Sequence, residues 1–85
     1  MDLIEQYISV NPEICHGKPC FKGTRIMAYL VLEMLEDGAS VDEIMTAYPS
    51  LTPDHVKAAL HYAARVLEAR ELDPAFLKVR YALPA

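Results

Sequence analysis

The sequence predicts a mainly α chain with a short β element near its N-terminal end, and three observations carry that prediction. Ser40-Val41-Asp42-Glu43 has the form of a capping box, in which the serine hydroxyl and the glutamate carboxylate each take up a backbone N–H at the helix start. Thr52-Pro53-Asp54 opens another helix soon afterwards: Thr52 suits an N-cap, Pro53 the first helical position and Asp54 the positive end of the helix dipole. Met27, Leu30, Val31, Met34 and Leu35 recur at helical spacing, and Gly38 stands where a helix terminator belongs.

In chain order, residues 1–26 read as extended. Tyr7-Ile8-Ser9-Val10 is a β-prone run closed by the turn former Asn11-Pro12, and Gly17-Lys18-Pro19 marks a second turn. Cys20-Phe21 and Thr24-Arg25-Ile26 flank Lys22-Gly23, where glycine supplies the positive φ of a tight hairpin. The helix from Met27 also carries Ala28, Tyr29 and Leu32 away from its main stripe. It is apolar around most of its circumference, so burial on two sides is expected, the second against another protomer. A short helix follows from Ser40, with Val41, Ile44, Met45 and Tyr48 on one face, and Pro49 ends it. The helix from Pro53 runs to about Arg70 and is expected to bury Val56, Ala59, Leu60, Ala63 and Leu67. After Asp73-Pro74, residues 76–81 alternate as a half-buried strand would, with Leu77, Val79 and Tyr81 opposite Lys78 and Arg80. These boundaries divide the chain into a helical domain at 1–72 and a tail at 73–85.

Eighty-five residues make one domain, near the lower limit for a single core. A hydrophobic fraction of 53% argues against disorder and suggests that some apolar surface is covered by a second copy or a partner. No apolar run is long enough to span a bilayer, and the start Met1-Asp2-Leu3-Ile4-Glu5 lacks a basic signal-peptide region. Cys15 and Cys20, with four residues between them across a turn, make a poor disulfide framework. A cytoplasmic protein with no membrane partner is expected. The net charge of −4 is polarised: residues 27–48 hold Glu33, Glu36, Asp37, Asp42 and Glu43 without one Lys or Arg, and all the basic residues lie to either side.

The short helix, the turn at Tyr48-Pro49-Ser50-Leu51 and the longer helix have the proportions of a helix-turn-helix. Asp54, Lys57, His61 and Arg65 form the solvent stripe of the second helix. They are either a recognition face, with Lys57 and His61 near bases or phosphates, or an ordinary solvated face. The second is the plainer reading of the residues alone, because Asp54 repels phosphate. Lys22, at the hairpin tip, suits a wing that grips backbone phosphate; Arg25 could do the same or pair with a carboxylate such as Glu13. Cys15-His16-Gly17-Lys18-Pro19-Cys20 invites a metal reading, but the other histidines, His55 and His61, are separated by about 600° of helical rotation. No metal, cofactor or catalytic group is expected. Phe76 and Tyr81, with Lys78 and Arg80 between them, are the anchors by which the tail could dock on a partner.

Asn11-Pro12-Glu13-Ile14, Gly17-Lys18-Pro19, Lys22-Gly23-Thr24-Arg25-Ile26, Leu35-Glu36-Asp37-Gly38 and Tyr48-Pro49-Ser50-Leu51-Thr52 together resemble a widespread prokaryotic family, domain of unknown function 433. The resemblance covers about residues 7–70. It implies a three-helix, homeodomain-like helix-turn-helix core behind a small β element. It also implies an antitoxin of a type II toxin–antitoxin pair, similar to VapB-type antitoxins, partnered by a PIN-like ribonuclease. Such a protein would bind operator DNA as a dimer and repress its own operon. The family pattern has a second glycine where this chain has His16, a change that restricts the turn.

The expected function is therefore non-enzymatic: neutralising a PIN-like toxin and binding operator DNA through Lys22, Arg25, Lys57, His61 and Arg65. The tail would set Lys78 or Arg80 among the nuclease's metal-binding carboxylates. The helix at 27–37 would form the homodimer. The alternatives are a stand-alone transcription regulator, or an interaction module whose helix-turn-helix has lost DNA binding.

Overall fold

The structure is a computed structural model, and it describes residues 2–69. The expected tail strand, with Phe76, Lys78, Arg80 and Tyr81, and the boundary at 72/73 lie outside the described residues. The order of elements is α1 (Leu3–Tyr7), β1 (Ile8–Ser9), β2 (Cys20–Phe21), α2 (Ala28–Glu36), α3 (Val41–Ala47) and α4 (Pro53–Ala69). The chain is mainly helical, with one helix more than the sequence predicts and one two-stranded antiparallel sheet among the described residues.

The extra helix corrects the extended reading of the first residues. Asp2 caps α1 by accepting the Ile4 N–H at 2.8 Å, and the Gln6 N–H bonds to the Asp2 carbonyl at 2.9 Å. Five residues are too few for a helical period to show in sequence, and a helix this short depends on packing rather than propensity. Leu3, Ile4 and Tyr7 supply that packing by lying partly buried against the core.

Of the β-prone run, Ile8 and Ser9 become a strand, and its partner is β2, with Ile8 opposite Phe21 and Ser9 opposite Cys20. The turn at Lys22-Gly23 also forms, but its far arm, Thr24-Arg25-Ile26, is not the second hairpin strand the sequence predicts; the strand that β2 pairs with is β1. The Phe21 N–H bonds to the Ile26 carbonyl, the Thr24 N–H to the Phe21 carbonyl, and Cys20 bridges to Met27. Thr24 makes the turn specific, since its hydroxyl donates to the Phe21 carbonyl at 2.8 Å and accepts the Ile26 N–H at 3.0 Å. Gly23 sits at φ 75°, as a tight turn requires.

Between the strands, Cys15, His16 and Gly17 all have positive φ, at 54°, 56° and 78°. The family's second glycine thus maps to a left-handed backbone position that His16 occupies at a steric cost of about 1–2 kcal/mol. His16→Gly is expected to stabilise the fold by roughly 1 kcal/mol, less the greater entropy that glycine adds to the unfolded chain. An upward shift of the urea midpoint checks this, and a downward shift would contradict it.

The core is Ile8, Phe21, Ala28, Val31, Ile44, Leu51, Val56, Ala58 and Ala59. Two helices differ from expectation in the face they bury. On α2 the core contact centres on Ala28 and Val31, although Ala28 was placed off the stripe. On α4 the buried residues are Val56, Ala58 and Ala59, whereas Leu60 and Leu67, expected inside, are 50% and 64% exposed. The reason is α1: it packs along α4 beside α2, so α4 is covered over an arc that takes in Ala58 and leaves Leu60 outside.

Candidate functional site

The α3–turn–α4 unit forms where the sequence places it. Ser40 Oγ accepts the Glu43 N–H at 3.1 Å, and Glu43 Oε1 accepts the Ser40 N–H at 3.0 Å, so both halves of the capping box are present. The hydrogen bonds from Ser40 hold the Glu43 carboxyl below its ordinary pKa, against a smaller desolvation effect. Tyr48 ends α3 with φ −128° and ψ 80°, outside the helical region that a following proline disfavours. The Leu51 N–H then bonds to the Tyr48 carbonyl, turning the chain toward Pro53. Leu51 is buried and pins that turn to the core.

At the start of α4 a histidine does what the glutamate does in α3. His55 Nδ1 accepts the Thr52 N–H at 2.9 Å and lies 2.9 Å from Thr52 Oγ1. Its ring packs against Tyr7 at 4.6 Å and edge-on to Phe21 at 5.4 Å, joining α1, β2 and α4. Tyr7 Oη donates to Asp54 Oδ2 at 3.5 Å in the same cluster. An acceptor Nδ1 requires the neutral ring, and burial lowers the His55 pKa below its ordinary 6.5 while the Asp54 charge opposes the change. As pH falls through the interval below 6.5, the unfolded chain takes up this proton before the folded one. The contribution of His55 to stability is therefore complete above that interval and is lost within it. Urea midpoints on either side of the interval should show the decline, and a His55→Gln variant should lose it.

The five residues expected to touch DNA do not form one free surface. Lys57 is exposed and makes no ion pair among the described residues. Arg65 is exposed and pairs with Glu68 at 3.1 Å, one turn along α4. His61 Nε2 lies 3.9 Å from Asp2, so α1 flanks that part of the stripe. Lys22 is exposed but engaged, with Nζ donating to the Glu5 carbonyl and its backbone N–H to the Tyr7 carbonyl. The tip of the turn thus found a partner in carbonyls near the end of α1, a helix that the sequence did not announce. Arg25 is exposed and, among the described residues, forms no ion pair with Glu13 or any other carboxylate. It lines a shallow pocket with Ser9, Ile14, Gly23 and Thr24.

Cys15 is partly buried and Cys20 fully so, and both are free thiols. The Cys15 thiol donates to the Arg25 carbonyl at 3.4 Å. Desolvation first, then hydrogen bonding to and charge on Cys20, raise its pKa above the ordinary 9.0, with Arg25 opposing. A raised pKa keeps the thiol protonated and poorly nucleophilic. Among the described residues no three His, Cys, Asp or Glu side chains come together as a metal set, and no helix is long and apolar enough to cross a membrane.

Sequence reasoning missed Tyr7, His55 and Asp2 as organisers of this region. The signal for two of them was present: Asp2 before Leu3-Ile4 is an N-cap, and His55 stands three residues after Thr52, where a capping box places its acceptor.

Comparison with known proteins bears on the whole arrangement. The chain is 33% identical over 58 residues to the uncharacterized protein y4eO of Sinorhizobium fredii (strain NBRC 101917 / NGR234), a match that covers 68% of this chain and 26% of that protein. Its fold is similar to the crystal structure of a DUF433 member from Anabaena variabilis, with a TM-score of 0.70 and 29% identity over 78% of this chain and 65% of that one. This chain therefore spans about a quarter of the curated relative and just under two thirds of the solved protein. Residues 8–63, from β1 through most of α4, match the model of a family described as protein of unknown function (DUF433), and the chain belongs to that family.

Proposed function

We propose that this chain is a helix-turn-helix antitoxin that binds operator DNA and neutralises a PIN-like ribonuclease. The observation that carries the reading is the α3–turn–α4 unit, capped at both helix starts, with Lys57 exposed one turn into α4. In a homeodomain-like arrangement the start of the second helix enters the major groove and nearby cations hold backbone phosphate. Lys57, Arg25 and Arg65 have the exposure for that role, whereas Lys22 and His61 would first have to leave their contacts with α1.

Titration of the full chain with its own upstream DNA at two salt concentrations tests this. Affinity should fall steeply as salt rises, and Lys57→Glu should weaken binding across all sequences tried. Absence of binding, or binding indifferent to Lys57→Glu, would overturn it. Neutralisation is tested by co-expression with the product of the adjacent gene, where a stable complex is expected. Loss of that complex on charge reversal of Lys78 and Arg80 would support a tail that occupies the nuclease's carboxylates. A chain ending at Leu72 that binds undiminished would exclude the tail mechanism.

A second reading, an interaction module without DNA binding, is favoured by the contacts that engage Lys22 and His61 and by Asp54 at the start of α4. It predicts partner binding and promoter activity that are both unchanged by Lys57→Glu combined with Arg65→Glu.

A further inference from the structure

We infer that the groove between α2 and α4 is a homodimer interface in which a second copy of this chain lies antiparallel along α2. The sequence predicts a homodimer through the helix at 27–37; the groove as its site, the antiparallel sense and the charge pairing are new, and none of them depends on the DNA and toxin reading. The groove has a volume of about 460 Å³, and Tyr29, Leu32, Tyr62, Val66 and Leu67 are among the residues that line it, together with Lys18. Tyr29 is 41% exposed and Leu67 64%. The apolar surface continues along α4 to Leu60, half exposed and two turns before Leu67. An apolar surface spread over two adjacent helices is of the kind that monomeric proteins rarely leave to water.

Charge selects the occupant. Lys18 Nζ lies 5.7 Å from the centre of the Tyr29 ring, at the N-terminal end of α2. Glu33 and Glu36 stand four residues after Tyr29 and Leu32 respectively, on the same stripe of α2, and both are exposed. The groove therefore has a positive end, where the helix dipole is also positive, and a negative end about 10 Å away along the axis. A segment complementary to it must be apolar with the opposite polarity of charge. The same face of another copy, turned by a two-fold axis, meets that requirement: each Lys18 then lies opposite the other protomer's Glu36, the two α2 dipoles oppose, and Tyr29, Leu32 and Leu67 are covered on both sides. A parallel arrangement would set Glu36 against Glu36.

Sedimentation equilibrium of the full chain at micromolar concentration tests the inference. A dimer is expected, and Leu67→Glu, at a position outside the core, should raise its dissociation constant by roughly 30-fold or more while leaving the helical circular dichroism intact. Lys18→Glu and Glu36→Lys should each weaken the dimer, and the two together should restore it. A dimer indifferent to Leu67→Glu would overturn the interface, and failure of the double variant to recover would overturn its antiparallel sense. A monomer at all concentrations would overturn the inference outright. Should the groove amides of that monomer resist hydrogen exchange, residues 70–85 of the same chain would be the occupant.

Discussion

Phe21→Ala is expected to cost about 3–5 kcal/mol, the range for removing a buried phenylalanine and leaving its cavity. Among the described residues Phe21 is the largest of the fully buried side chains, with no exposed surface. It pairs with Ile8 across the sheet, meets the His55 ring edge-on and belongs to the core cluster that takes residues from α2, α3 and α4. The void would thus sit where every long-range part of the fold converges, and little could collapse to fill it. Total stabilities of small domains run to only about 5–15 kcal/mol, so much of the margin should go. Urea denaturation should show a lower midpoint with an unchanged slope. A loss under about 1 kcal/mol would mean that Phe21 does not hold this core together.

Ile44→Ala should act more locally but almost as strongly, at about 2–5 kcal/mol. Ile44 is the sole fully buried residue of α3, a helix of seven residues. Isolated helices shorter than about 12 residues are marginal in water, so the capping box alone cannot keep α3 folded. Without Ile44 the first helix of the helix-turn-helix should detach while α4 remains. Hydrogen exchange should therefore quicken at the α3 amides more than at those of Val56 and Ala59. Uniform loss of protection would show that α3 and the rest of the domain open as one unit.

The parts of this fold that were legible in sequence are those whose signals are local. Ser40 with Glu43, and Thr52 with Pro53, mark helix starts through bonds spanning three or four residues, and both helices begin there. The Gly23-Thr24 turn is of the same kind. What was hidden depends on neighbours distant in the chain. β2 pairs with β1, more than ten residues before it in the chain, and the Lys22 N–H bond to the Tyr7 carbonyl extends that pairing. Which arc of α4 is buried is decided by α1, a helix too short to announce itself, so Ala58 went inside and Leu60 stayed out. Lys22 and His61 were read as free cations for the same reason, since the Glu5 carbonyl and Asp2 that receive them are both supplied by the N-terminal segment. Lys57 and Arg25 stay exposed because, among the described residues, no other element covers them.

Two faces of this molecule are thus proposed for different work, the Lys57 side of α4 for DNA and the α2–α4 groove for a second protomer. Mapping of backbone amide chemical shifts on adding the upstream DNA to the full chain separates them most directly. The largest changes are expected at Thr52–Lys57, Arg25 and Arg65, with Tyr29, Leu32 and Leu67 undisturbed. Changes confined to the groove, or none at all, would contradict the assignment of α4 as the DNA-reading helix.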